Sequence, residues 1–585
     1  MLLSAVGLMT FTACADDNYD LSDIDTTIGV GSDEGLTLPT SSTKDIYLDD
    51  LLELDNSDIV VIKENGDYVF QQKGDSIDPV HPMIDKVFIS EGTTTNIPVK
   101  IEVPTLPNGF ELLPVGTPLP GTASTLHKEI QTFDYEDDCP AEIESLISAD
   151  ADGSIDVTIT FTEDLNGFIS TFKTFNVDFP QYMEIDVLNA SQAYTLEGDI
   201  LKFTDVPTNK DLTIKIHVKK LYFNEIDENN KLKLENGKII MIGDVKVDVT
   251  YDDAVKGSGD INNLLINSTM SINNLTITGA DGKFSPKIEL GELGGVTLDD
   301  LPDFLTDGDV VVDLYNPQIQ INVESDLSVP GILSGTLIAK DENDNEIKRV
   351  AIPDMKINAV DDNGGISNIL ICRRNENVPA GITDVVVVPG LSDILRKIPH
   401  TISFETTAHA DDSKDSHIDL GHEYTIKTSY SIEAPIAFGE DARIVYKDTI
   451  DGLNDDLKDL ELTKDTQLSI TADIENRIPA YLTMSAHAIN AEGNRINDLT
   501  VEVNKVIEAA EDSNVPTTTK DLTITIKQAG GDLSKVDGIV FSIGAAASDG
   551  NKAIVGQTLN AQKHSLKVTN MKIQLKGRVI IKSED

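Results

Sequence analysis

Residues 155–161, IDVTITF, alternate apolar and polar side chains and decide the fold class of this chain. Because successive side chains of a strand point to opposite faces, this alternation buries one face and leaves the other in water. The same period of two recurs in residues 212–218 (LTIKIHV), 319–323 (IQINV) and 522–526 (LTITI). We therefore expect an all-β protein built from half-buried strands.

Turn signals separate these strands and favour antiparallel pairing, because Asn-Gly and Asp-Gly allow the positive φ angles of tight hairpins. Helical patterns are sparse, and residues 142–149 and 502–511 are the best candidates for helices. The expected architecture is a tandem series of antiparallel β-sandwiches. The turn signals are Asn65-Gly66, Asn236-Gly237, Asp281-Gly282, Asp344-Asn345, Asn363-Gly364 and Glu492-Gly493-Asn494.

An internal repeat divides the body of the chain, which at 585 residues is too long for one core. Residues 311–317 (VVDLYNP) resemble residues 471–477 (TADIENR), and the offset of about 160 residues is the size of one sandwich. The sequence around Asn316 and Asn476 resembles immunoglobulin-like modules of bacterial surface proteins. The predicted sandwich domains cover residues 46–225, 226–400 and 401–585.

The amino-terminal residues predict where the protein resides. Residues 1–13, MLLSAVGLMTFTA, form an apolar run that is too short to span a bilayer as a helix and fits a secretory signal peptide. Ala13 followed by Cys14 resembles the lipobox of bacterial lipoproteins, although Phe11 stands where Leu is usual. This resemblance implies that Cys14 is acylated and becomes the new amino terminus.

Acidic residues follow Cys14 directly, beginning with residues 15–20, ADDNYD. Such an apolar-poor segment cannot offset its ordering entropy, so residues 14–45 are expected to form a disordered acidic tether. The acidic segment also resembles the export signal of Bacteroidetes surface lipoproteins. That resemblance implies a lipid-anchored protein of the outer membrane that faces the cell exterior.

Composition excludes some partners. The 100 Asp and Glu against 46 Lys and Arg give a net charge of -54, which repels the phosphates of nucleic acids. The absence of Trp makes a glycan a less expected ligand than a protein, because sugars stack on exposed aromatic rings. Cys139 and Cys372 fall in different predicted domains and are expected to be free.

The densest group of metal-binding residue types lies between His409 and Glu423. Alternation would place His417 and Asp419 on one strand face, with His422 or His409 closing a metal site from a loop. The spacing matches no established zinc pattern, so a solvated polar hairpin is the favoured interpretation.

Residues 150–156, DADGSID, begin like a calcium loop. Position twelve of such a loop would be Phe161 instead of a bidentate Glu, so we expect a turn that leads into the strand from Ile155. Weak binding of calcium by the acidic loops is left as an open alternative, and no other cofactor is expected.

Motifs of catalysis are absent from the sequence, including a Gly-x-Ser-x-Gly elbow, a Gly-rich phosphate loop and His-Glu-x-x-His. We therefore predict a non-enzymatic, lipid-anchored surface protein that acts in binding, adhesion or scaffolding with a protein partner in a surface complex. The alternative is a metal-assisted surface hydrolase that uses residues 409–423.

Overall fold

The computed structural model is almost entirely β, which confirms the predicted fold class. Antiparallel sheets form three successive sandwiches, with one parallel strand pair in the second. No helix within the described residues is long and apolar enough to span a bilayer. The structure describes residues 28–30, 36–39, 42–52, 59–74, 78–89, 92–104, 106, 108–288, 293–298, 310–361, 363–411, 413–450, 452, 460–462, 467–497, 499–528, 537–577 and 579–581.

The amino-terminal half contains short strands followed by much longer ones. The elements are β1 (Ile28–Val30), β2 (Leu36–Pro39), β3 (Ile46–Tyr47), helix α1 (Leu48–Leu52), β4 (Val60–Ile62), β5 (Tyr68–Lys73), β6 (Val87–Phe88), β7 (Gly92–Asn96), β8 (Val99–Lys100), the 3₁₀ turn η1 (Phe110–Leu112), β9 (Ser124–Asp138), β10 (Ile143–Phe161), helix α2 (Glu163–Phe168), β11 (Thr171–Asp178), β12 (Met183–Ala190), β13 (Tyr194–Glu197), β14 (Ile200–Pro207), β15 (Leu212–Tyr222), β16 (Asn224–Asp227), β17 (Asn230–Glu235), β18 (Lys238–Tyr251), η2 (Ile261–Asn263) and β19 (Leu265–Phe284).

The carboxy-terminal half continues with strands and two further 3₁₀ turns. The elements are β20 (Leu293–Thr297), β21 (Gln318–Ser325), β22 (Gly331–Lys340), β23 (Glu346–Ile357), η3 (Asn363–Gly365), β24 (Ile366–Cys372), β25 (Asp384–Val387), η4 (Leu391–Ile394), β26 (Thr401–Ala410), β27 (Ser416–Asp419), β28 (Ile426–Pro435), β29 (Arg443–Ile450), β30 (Leu460–Leu462), β31 (Gln467–Asn476), β32 (Tyr481–Ile489), β33 (Leu499–Val503), β34 (Thr517–Gln528), β35 (Gly538–Ala546), β36 (Ser565–Lys576) and β37 (Val579–Ile581).

The first sandwich consists of a sheet of order β12-β15-β10-β19-β27 and a sheet of order β13-β14-β11-β18-β17-β16. Strands β6 and β8 extend the first sheet through β19, while β9 and β7 extend the second through β18. Val157 and Ile159 of β10 and Phe175 of β11 are buried in one apolar core. The apolar side chains of the alternating segment 155–161 therefore line one side of this core.

The second and third sandwiches repeat this arrangement. The second joins β20-β26-β22-β23 to β25-β24-β21-β28-β5-β4. The third joins β2-β36-β31-β34-β33, with β3 added to β36, to β29-β35-β32. A small sheet, β1-β37-β30, brings the two ends of the described chain together.

The three sandwiches share one feature, a corner at which the chain crosses from one sheet to the other. In each sandwich one strand (β11, β21 or β31) passes through a proline corner to a strand of the opposite sheet (β12, β22 or β32). The corner prolines are Pro180, Pro330 and Pro479. Proline suits these positions because it lacks the N–H that a central strand would have to donate.

The structural register of the repeat differs from the predicted one. Residues 471–476 lie inside β31, whereas residues 311–317 precede β21, so the two motifs are not equivalent. Matching turns set the correct register: Asp341 Oδ1 accepts from the N–H groups of Asn343 and Asn345, and Asn490 Oδ1 accepts from those of Glu492 and Asn494. These two turns lie closer together in sequence than the predicted offset of about 160 residues.

Some local predictions are wrong. Residues 142–149 are not a helix, since Ile143 begins β10, and residues 502–511 contain the end of β33 followed by irregular chain. The turn expected at residues 150–156 is absent because β10 runs through it, with register shifts against β15 and β19. Asp281-Gly282 lies within β19 instead of a turn. In each case long-range strand pairing overrides the local pattern.

Strand pairing also crosses the predicted domain boundaries. β18, from the range 226–400, pairs with β9 and β11, and β27, from the range 401–585, pairs with β19. Within the predicted tether of residues 14–45, β1 pairs with β37 and β2 pairs with β36. The predicted signal peptide, residues 1–13, and Cys14 lie outside the described residues. The sandwiches are thus closed by strands that are distant in sequence.

The amino-terminal segment joins all three sandwiches in reverse order. β2 and β3 pair with β36 of the third, β5 pairs with β28 of the second, and β6 to β8 pair with the first, while β1 pairs with β37 in the small sheet. We call residues 28–100 the strap. Asn560 fixes the strap to the third sandwich: its Nδ2 donates to Asn65 O (3.0 Å) and Asp67 Oδ1 (2.9 Å), and its Oδ1 accepts from two backbone N–H groups.

We expect Asn560→Ala to lower the free energy of unfolding by about 2 to 3 kcal/mol, because Asn560 is 2% exposed and its side chain makes four hydrogen bonds that fix the strap to the third sandwich. Urea unfolding followed by circular dichroism measures the change. Asn551→Ala, at an exposed turn of the same sandwich, is the control and should change stability little. Equal effects from the two substitutions would contradict the role given to Asn560.

Candidate functional site

The predicted metal-binding residues fall on and beside β27, which pairs with the last part of β19. His417 and Asp419 are both exposed and flank the buried Ile418, so they share one strand face as the alternation predicts. Strand register places His417 opposite Asp281. The pairing of β27 with the first sandwich therefore gives His417 acidic neighbours from other strands.

Three carboxylates surround His417. Its Nδ1 lies 2.9 Å from Asp281 Oδ1, and its Nε2 lies 3.6 Å from Asp419 Oδ1 and 3.9 Å from Asp150 Oδ2. Lys220 Nζ contacts two of the same carboxylates, at 3.3 Å from Asp281 and 4.0 Å from Asp150. His417 and Lys220 thus share carboxylate partners that come from β10, β19 and β27.

Asp281 is the centre of the cluster. Burial raises the pKa of its carboxyl, but hydrogen bonds from Ser148, His417 and Lys220 outweigh burial and hold the pKa below its ordinary value. Asp281 therefore stays ionised at neutral pH, and its charge is balanced by neighbouring donors.

The other two predicted ligands lie elsewhere. His409 is an exposed residue of β26 opposite Ile332 in the second sandwich, and the ring of His422 packs edge-on against Tyr424 at 4.6 Å. Among the described residues, no group of three or more His, Cys, Asp or Glu side chains is arranged to hold a metal ion. The geometry of β27 thus favours an ion-pair cluster over the metal site considered from sequence.

Cys139 and Cys372 each carry a free thiol. Burial raises the pKa of Cys139 to about 11 and also raises that of Cys372. Both thiols are therefore protonated at neutral pH and are poor nucleophiles.

Two carboxyl groups, those of Asp178 and Asp199, lie together at the end of β11. Burial, followed by the negative charge of Asp199, raises the pKa of Asp178 to about 6, while Lys246 acts in the opposite direction. The two carboxyl groups are hydrogen-bonded to each other, so one proton between them relieves their repulsion. Oδ2 of Asp199 is buried without a hydrogen-bond partner.

A loop that the sequence analysis did not identify carries the most exposed apolar side chains of the first sandwich. Residues 109–117, which we call the tip loop, include η1, and within them Leu112 is 89% and Val115 68% exposed. The missed signal was the apolar run FELLPV between Gly109 and Gly116, which does not alternate and so is not a strand pattern.

The base of the tip loop is fixed to the sandwich. The ring of Phe110 lies 6.1 Å from that of Phe168 in α2, and Lys256 Nζ lies 4.6 Å from the centre of the Phe110 ring. Backbone bonds run from Gly116 N to Lys256 O (2.7 Å) and from Lys256 N to Thr117 O (2.8 Å). Leu112 and Val115 are therefore held outward by an ordered base.

The tip loop occupies the end of the first sandwich that is remote from the second. Phe161, the last residue of β10, pairs with Ile266 near the start of β19, next to α2. The opposite end of β19, residues 279–282, pairs with β27 on its way to the second sandwich. The ion-pair cluster and the tip loop thus lie at opposite ends of the same long strands.

Comparison with known proteins gives only weak similarities. No protein-family model matches the chain, and no curated protein matches it. A crystal structure from Parabacteroides distasonis ATCC 8503, of a protein inferred to be secreted, is 15% identical with a TM-score of 0.34 and covers 51% of this chain and 88% of its own.

Two viral structures are also similar over longer stretches. A structure of infectious bursal disease virus, Gx strain, is 8% identical with a TM-score of 0.14 and covers 92% of this chain and 87% of its own. An archaeal virus protein with a triple jelly roll fold is 8% identical with a TM-score of 0.11 and covers 84% and 91%. Scores this low carry no argument about activity or partners.

We expect Asp178→Asn to stabilise the protein above pH 6 by about 1 to 2 kcal/mol, allowing for partial exposure. Since folding raises the pKa of Asp178 to about 6, the folded state holds this proton more tightly than the unfolded chain, whose pKa is about 3.9. The wild type therefore loses stability as pH rises from about 4 to about 6, and the asparagine variant escapes this loss.

Thermal unfolding of both proteins at pH 4 and pH 7.5 measures the effect. Asp138→Asn is the matched control because the side chain of Asp138 is 88% exposed. A gain that is the same at both pH values would refute the assignment to Asp178 ionisation.

Proposed function

We propose that this chain is a non-enzymatic surface protein, acylated at Cys14, that binds a protein partner through the tip loop. The observation that carries the proposal is the pair Leu112 and Val115, held outward on a fixed base. Large apolar side chains exposed side by side are typical of interaction sites, because they gain most from burial in a partner.

The course of the strap supports the use of the tip loop as a contact surface. β2 and β3 follow Cys14 in the chain and pair with β36 of the third sandwich, so a lipid at Cys14 would attach the molecule through that end of the strap. The strap reaches the first sandwich only after it has paired with the other two. The tip loop therefore belongs to the sandwich that is last in order from the anchor.

Charge around the tip loop indicates the chemistry of the partner. Glu111 within the loop, Glu163 in α2 and Asp260 before η2 are exposed. Together with the net charge of -54, they disfavour an anionic membrane or a nucleic acid as the ligand. An apolar pocket with a basic rim, on a protein of the outer membrane, is complementary to this surface.

A glycan is a less suitable ligand for the tip loop. Its aromatic residue, Phe110, packs against Phe168 and beneath Lys256, so its ring is not free to stack on a sugar. Adhesion and scaffolding remain compatible with the proposal, since each requires a protein contact away from the anchor.

We expect a photo-crosslinking amino acid at position 112 or 115 to capture one discrete protein on intact cells. Val515, in the third sandwich, is the matched control because it is also apolar and is 64% exposed. Crosslinked products are identified by mass spectrometry after ultraviolet irradiation. Capture should be lost in a Leu112→Asp, Val115→Asp variant that carries the crosslinker at position 111.

Two outcomes would contradict the proposal. Identical products from positions 112 and 515 would mean that crosslinking reports abundance at the surface and not a specific contact. The second outcome concerns the lipid. If the Cys14→Ala variant stays fully membrane-bound and takes up as much fatty-acid label as the wild type, Cys14 is not the site of acylation.

A further inference from the structure

A short loop of the third sandwich holds the strap at two positions. Residues 559–564, which we call the clasp, lie directly before β36. At one position Tyr68 N donates a hydrogen bond to Leu559 O (2.9 Å), and at the other Leu48 N donates to His564 O (2.9 Å). The clasp therefore fixes the part of the strap that lies between β3 and β5.

His564 determines the shape of the clasp. The residue is 3% exposed, and its Nδ1 accepts a hydrogen bond from Asn560 N at 3.0 Å. Because a backbone N–H only donates, this bond requires an imidazole whose Nδ1 carries no proton. Asn560 is also the residue whose side chain bonds Asn65 O and Asp67 Oδ1 of the strap. The attachment of the strap thus depends on an unprotonated His564 Nδ1.

A proton on Nδ1 would place two donors against each other at this bond. Burial also disfavours the charged ring, and it lowers the pKa of His564 from an ordinary value of about 6.5 to about 4. Asp67 acts in the opposite direction, and Lys563 adds to the lowering. The Asp67 carboxylate already accepts from Asn560 and Asn65. The closed clasp therefore excludes a proton that the open loop accepts.

Other charged residues lie on the elements that contact the clasp. Asp49 Oδ1 accepts from the Tyr68 hydroxyl at 3.2 Å, and Lys63 Nζ donates to Gln71 Oε1 at 2.9 Å, so both have partners of their own. Asp67 and Lys563, which act on His564, are opposite in charge, and burial decides the direction. The charged residues on these elements are Asp49 and Asp50 of α1, Lys63, Glu64 and Asp67 of the hairpin between β4 and β5, Lys563 of the clasp, Lys567 of β36, and Arg477, whose N–H bonds Ser565 O.

We propose that acid releases the strap from the third sandwich, because protonation of His564 Nδ1 breaks its hydrogen bond with Asn560 N and opens the clasp. The ring takes up the proton during a transient opening, when water reaches Nδ1, and the charged ring no longer accepts the bond. β2 and β3 keep their pairing with β36, so the release is confined to the segment that follows them. This switch is independent of the tip loop and of acylation at Cys14.

Hydrogen–deuterium exchange of the full chain at pH 7.5 and pH 5 tests the proposal, with each rate divided by that of an unstructured peptide at the same pH. Since the closed clasp lowers the pKa of His564, its contribution is complete above about pH 6.5 and is lost as the pH falls towards about 4. We expect residues 63–68 and 559–564 to exchange about tenfold faster or more at pH 5. The central strands β31 and β34 of the same sandwich should keep their protection.

His564→Asn separates the titration of the ring from its role as an acceptor. The Oδ1 of asparagine lies as many bonds from Cβ as the Nδ1 of histidine, accepts the same hydrogen bond and does not titrate. Exchange of the clasp in this variant should therefore be the same at both pH values. His487→Asn, in β32 of the same sandwich, is the matched control and should keep the acceleration of the wild type.

Equal exchange of residues 63–68 at the two pH values in the wild type would overturn the proposal. A folded His564→Asn variant that keeps the full acceleration would do the same. Should His564→Asn not fold, the wild type alone decides. Acceleration confined to residues 63–68 and the clasp then supports the proposal, and acceleration shared equally by β31 and β34 refutes it.

Discussion

Main-chain hydrogen bonding along the strap is the interaction on which the rest of the structure depends. A strand at a sheet edge exposes a row of N–H and C=O groups, and an uncovered edge is open to pairing with other chains. Here β5 covers β28, while β2 and β3 cover β36. Three sandwiches are thereby joined by backbone bonds that do not depend on particular side chains.

The strap also sets where functional groups can lie. It ties the amino-terminal end to the third sandwich, and Asn560 fixes its hairpin there. It places Gln72 opposite Ile432 of the second sandwich, where the Oε1 of Gln72 is buried without a hydrogen-bond donor. The tip loop follows β8, the last strand of the strap, which pairs with the start of β19, and its Leu112 and Val115 stay exposed. One segment thus contributes strands to sheets of all three sandwiches.

Local patterns in the sequence were enough for the fold class and for some site geometry. Alternation in residues 155–161 predicts β10, and it also places His417 and Asp419 on one face. Strand partners could not be predicted, because pairing such as Gln72 with Ile432 depends on contacts between residues far apart in the chain. For the same reason the local pattern predicts a turn at Asp281, although this residue lies in β19 opposite His417. The tip loop was missed because exposed apolar side chains in a loop have no periodicity.

Hydrogen–deuterium exchange on the chain with residues 28–47 removed tests the role of the strap most directly. Exchange along β36 should accelerate strongly, because β2 and β3 no longer cover it, while β10 and β19 of the first sandwich keep the protection of the full chain. Unchanged protection of β36 would contradict the account, since the edge would then be closed without the strap.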